Sequence, residues 1–137
     1  MSHATSIALL PENLGDLIAT GTVAELIQCR ELFRDRALAL IKTLKRDSAE
    51  VQAIQVVSVG LDSLLLSSVI GGPHYPVSTS FVLPGKVGDD PEGLVGVARL
   101  VFDEWTRALG ERGQVSFLKH GKSNEGIDLY QINVLFM

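Results

Sequence analysis

The chain has 137 residues, 46% of them hydrophobic, 20% charged and 6% aromatic, with a net charge of −4. That length suits one domain with one core and needs no covalent staple. The charge excludes a general nucleic-acid binder, which needs a positive field against phosphate, and the single cysteine, Cys29, excludes an internal disulfide and a multi-cysteine zinc site.

Met1 to Leu10 has no Lys or Arg before its short apolar run, so it does not read as a signal peptide. The fully apolar runs are too short to span a bilayer. The expected molecule is therefore a soluble domain covering residues 1–137, with residues 1–21 as an arm. Within that arm Glu12 to Ala19 reads as a short helix with Leu14, Leu17 and Ile18 on one side. Such an arm either folds back on its own domain or docks on a neighbour.

Thr22 opens a long helix through a capping box with Glu25, in which each side chain bonds the other's backbone N–H. Leu26, Cys29, Phe33, Ala37, Leu40, Ile41 and Leu44 form its buried stripe. Lys42, Lys45 and Arg46 gather in the last turns, where cations favour the negative end of the dipole.

The hydrophobic period then changes. Val51 to Val59 is dense in β-branched residues and reads as a strand. Gly60-Leu61-Asp62-Ser63 reads as a turn or bulge, and Leu64 to Ile70 as a second strand closed by Gly71-Gly72-Pro73. Val77 to Leu83 is a third strand, with Val77, Thr79, Phe81 and Leu83 on one face, ended by Pro84-Gly85.

Asp89 to Gly113 carries the clearest helix and the only tryptophan. Asp90 is the expected N-cap, Pro91 the first helical residue and Glu92 an acid at the positive dipole end. Leu94, Ala98, Val101, Phe102, Trp105 and Leu109 recur at helical spacing, and Gly110 and Gly113 offer left-handed stops. Val115 to His120 and Ile127 to Phe136 are two final strands joined by a Gly121–Gly126 hairpin loop. The last strand is apolar on both sides, so both faces are expected to be covered. Its apolar end, with Phe136 next to the last residue, predicts a central strand or one capped by another subunit.

The expected fold is thus α+β: a mainly antiparallel sheet of about five strands with two long helices on one face, in the order α-β-β-β-α-β-β.

None of the reactive groups forms a recognisable site. Gly121-Lys122-Ser123 matches the end of a phosphate-binding loop, but Ser116 stands where that motif needs glycine, and a strand follows instead of a helix. His3, His74 and His120 lie in a tail, a turn and a strand end, without helical metal-site spacing. Cys29 falls on an apolar stripe and reads as a small buried hydrophobe. Asp89, Asp90 and Glu92 lack the alternating oxygen ligands of a calcium loop and are accounted for as helix caps. An enzyme would need distant groups such as His74, His120 and Asp62 brought together. No catalytic residue, cofactor site or metal ligand is assigned. Arg30 and Arg34, one turn apart beside Glu31 and Asp35, mark either a solvated face or an intersubunit salt-bridge face.

Two function classes follow. The first is a non-enzymatic structural or assembly subunit that packs against copies of itself and other structural proteins, with Leu14, Leu17, Ile18, Arg30, Arg34 and Phe136 as candidate interface. In element order the chain resembles small phage neck and tail-terminator proteins: Thr22–Arg46 as the long helix, Val51–Leu83 as sheet, Asp90–Leu109 as the second helix and Val115–Phe136 as the closing strands. That resemblance implies a ring-forming virion protein, found in the virion or the host cytoplasm. From the charge and the short apolar runs, neither a membrane nor a specific nucleic-acid partner is expected. The second class is a small intracellular binding or regulatory domain of the immunity or adaptor type, working through a groove or a sheet edge.

Overall fold

The computed structural model describes residues 9–44, 48–71, 77–85 and 96–136. Its helices are α1 (Leu14–Thr20), α2 (Val23–Thr43), α3 (Ala49–Gly71) and α4 (Val97–Leu109), and its strands are β1 (Val77–Pro84), β2 (Gly113–Lys122) and β3 (Asp128–Phe136). A short 3₁₀ turn, Gly110–Arg112, joins α4 to β2.

The principal correction concerns Val51 to Ile70, expected as two strands and found as most of one 23-residue helix, α3. Its β-branched residues imitate a strand, but its burial has helical spacing: Ala53 and Ile54, Val57, Leu61, Leu64 and Leu65, then Ser68. Ser48 starts it, its hydroxyl accepting the Val51 N–H at 3.2 Å. The expected turn at Gly60 is a close approach. A Cβ there would lie 2.6 Å from Phe81 Cζ and 2.9 Å from Trp105 Cζ2. As one helix the segment is long and apolar enough to cross a bilayer, which neither supposed strand was, yet here its apolar side forms the centre of the core.

Among the described residues the sheet consequently has three strands, not five, in the order β1-β3-β2, antiparallel throughout. As expected, β3 is central. One face packs under the helices, with Phe81, Ile132 and Phe117 in register across the three strands, Val134 beside Val115, and Leu83 beside Tyr130. Among the described residues the helices lie on one side of β3, and Gln131, Asn133 and Leu135 on the other side are half-buried.

The capping box of α2 is present, Thr22 Oγ1 accepting from the Glu25 N–H and Glu25 Oε1 from the Thr22 N–H. The α2 stripe is buried at Leu26, Cys29, Phe33 and Ala37 and half-buried at Leu40, Ile41 and Leu44. Lys45 and Arg46 lie outside the described residues. So do Asp89, Asp90, Pro91 and Glu92; α4 begins at Val97 with Gly96 as its N-cap. Gly110 ends α4 at φ 54°, as expected, whereas Gly113 has φ −140° and simply enters β2. Trp105 is fully buried where α4 meets Gly60 of α3.

Candidate interaction surface

The described part of the N-terminal arm, residues 9–21, folds back on its own domain. Leu9, Leu10, Leu14 and Ile18 are buried and Leu17 is half-buried. Sequence reasoning missed the group that holds the arm, the buried carboxylate of Glu104. The backbone N–H groups of Leu9 and Leu10 both donate to its Oε2, the second at 2.6 Å. Its Oε1 receives Arg107 Nη2 at 2.8 Å and Nε at 3.1 Å, and Arg107 Nη2 also donates to the Leu10 carbonyl at 2.6 Å. A buried carboxylate is tolerated only when charge and hydrogen bonds replace lost water, and here both do. The signal was available: Glu104 lies one turn from Leu100 and Ala108 on the apolar stripe of α4. Asp16 of α1 pairs with Arg112 and fixes the other end of the arm.

The remaining candidates scatter. Phe136 is buried on the inner face of β3. Arg34 is exposed and pairs with Asp62 of α3 at 3.1 Å, while the buried Arg30 Nε has no hydrogen-bond partner among the described residues. Thus Asp62 of the weighed enzyme constellation holds α3 to α2, His120 is exposed at the bulge between Lys119 and Gly121, and His74 lies outside the described residues, as does His3. Burial pushes the Cys29 thiol above its ordinary pKa, opposite to a reactive thiolate.

Gly121-Lys122-Ser123 does hairpin work. The Ser123 hydroxyl accepts the N–H groups of Glu125 and Ile127, each at 3.2 Å, and Lys122 Nζ reaches Asp128 at 3.0 Å. The Lys122 hydrogen bond, with the charges of Lys119 and Lys122, holds the Asp128 carboxyl below its ordinary value. Among the described residues, no group of three His, Cys, Asp or Glu side chains stands close enough to hold a metal ion.

Surfaces, by contrast, are distinctive. α2 and α3 form a helical hairpin whose outer side exposes Ile27 and Leu38 on α2 and Val59, Leu66 and Ile70 on α3, the last at 78%. A groove of about 170 Å³ between the two helices is lined by Leu26, Ile27, Arg30, Leu65, Leu66 and Val69. The open sheet face differs in chemistry: Ser80, Asn133 and Ser116 form one cross-strand row and Val82, Gln131 and Leu118 the next, all uncharged.

No protein-family model, curated protein or solved structure matches this chain.

Proposed function

We propose that this protein is a non-enzymatic structural or assembly subunit that acts by associating with copies of itself. The observation that carries this reading is the exposed aliphatic side of the α2–α3 hairpin. Single exposed aliphatics are ordinary, but five along two adjacent helices form a patch of the kind that marks an interaction site. The ring-forming role of neck and tail-terminator proteins is a narrower form of the same idea. It needs sheet across Val51–Leu83, of which Val51–Ile70 is helix α3, and self-association does not depend on it.

Sedimentation of the purified full chain over a wide concentration range tests the proposal. A discrete oligomer, or a mass that rises with concentration, is expected. A monomer at every concentration overturns it and favours the second reading, a binding or regulatory domain whose groove at Leu26, Leu65 and Val69 receives an apolar side chain of another protein.

A further inference from the structure

We infer that the outer face of α2 is a two-fold interface, on which a second copy of this chain lays its own α2 antiparallel. This rests on the self-association reading above and names the surface and its geometry.

Ile27, Glu31, Arg34 and Leu38 follow one another at intervals of four, three and four residues, so they form one stripe along the helix. The buried side of α2, at Leu26, Cys29, Phe33 and Ala37, points elsewhere. All four stripe residues are exposed. From Ile27 to Leu38 the stripe runs about 16 Å at roughly 1.5 Å per residue.

The order of side chains along it is apolar, acidic, basic, apolar, and it is symmetric about its own centre. The midpoint between Ile27 and Leu38 falls between Leu32 and Phe33, and the midpoint between Glu31 and Arg34 falls at the same place. A two-fold axis passing between α2 and its copy at that level, perpendicular to both helices, sets Ile27 against Leu38 of the second copy, and Glu31 against its Arg34. Every contact occurs twice, which is the condition for an isologous interface. Two opposite-charge pairs then lie between two aliphatic pairs. The parallel arrangement would place Glu31 against Glu31 and Arg34 against Arg34, so charge selects the antiparallel one.

The protomer is compatible with this use. Arg34 spends one donor on Asp62 at 3.1 Å and remains more than half exposed, and a guanidinium has five N–H groups to share. Leu66 and Val69 of α3 line a groove with Ile27 beside this stripe, so a copy seated on α2 also covers part of the aliphatic side of α3.

Charge reversal tests the geometry. Glu31→Arg alone places cations opposite cations twice per dimer, and Arg34→Glu alone places anions opposite anions twice. Each is expected to raise the dimer dissociation constant at least about a hundredfold. Mixing the two variants restores both attractive contacts, so a one-to-one heterodimer should form from two chains that are each monomeric, as read by sedimentation or native mass spectrometry. Leu38→Ser, which touches no ion pair, should weaken the dimer about tenfold by itself. Far-UV circular dichroism of Glu31→Arg and Leu38→Ser should match the unmodified chain, and that of Arg34→Glu should too, because the Arg34–Asp62 pair it breaks is exposed and contributes at most about 1 kcal/mol. If the unmodified chain assembles and the single variants assemble equally well, this surface is wrong while self-association stands. Failure of the mixture to pair also overturns the antiparallel register. A chain that is monomeric throughout removes both readings.

Discussion

Gly60 lies in the middle of α3 with the rings of Phe81 and Trp105 against its backbone. Glycine there costs the helix about 1 kcal/mol relative to alanine, but an added methyl must displace a fully buried indole and a half-buried phenyl ring, and overpacking costs about 1–3 kcal/mol. Gly60→Ala should therefore destabilise by about 1 kcal/mol, seen as a lower urea midpoint, against the gain that helix propensity alone predicts. Glu104 has the opposite character, a charge whose whole surroundings were built for it. Glu104→Ala leaves the Leu9 and Leu10 N–H groups and the Arg107 guanidinium without their acceptor, and a loss of about 3–5 kcal/mol is expected. The same urea titration measures it. Hydrogen exchange should quicken at Leu9 and Leu10 first.

At the level of elements, those marked by local chemistry were legible in the sequence. The Thr22–Glu25 box, the α2 stripe and the 123–127 hairpin turn each depend on residues a few positions apart. α3 was not legible as a helix, because Val51, Val56, Val57 and Val59 favour a strand and only tertiary burial reveals the 3.6 period. Gly60 reinforced the error, since a glycine required by neighbouring rings looks like a turn when those rings are far away in sequence. The arm illustrates the converse. Its helix was readable, but which surface it meets was decided by Glu104, about 95 residues away. Four of its aliphatic side chains are buried. At about 1.5–3 kcal/mol each they contribute at most roughly 6–12 kcal/mol, comparable to the whole stability of a small domain. Deletion of residues 1–21 should consequently unfold the protein, with loss of the helical far-UV signal. A folded, weakly assembling product would instead place the arm on a neighbour.

For the whole molecule, the α+β class and the antiparallel sheet were legible; the strand count was not, nor were the helices that cover the sheet, since α3 and α4 lie on it while α2, expected there, lies on α3. Moving one 23-residue segment from sheet to helix shrinks the sheet to three strands and creates a helical hairpin with an outer side of its own. That outer side contains Arg34, singled out from sequence for its mixed-charge neighbourhood, and it also contains Val59, Leu66 and Ile70, which had been assigned to strands. The candidate surface was therefore half visible. Its charges are local to α2, whereas its apolar half exists only because α3 is a helix.

The way α2 is attached carries a dynamic consequence. It leans on α3 and, more lightly, on α1, while α3 and α4 are held by each other and by the sheet. Opening free energies differ within a domain according to how much packing each unit must surrender. Amide protons of α2 should then be the first of the long helices to exchange with solvent, and those of β3 among the last. A second chain seated on α2 would reverse that order, turning the loosest helix into one of the most protected.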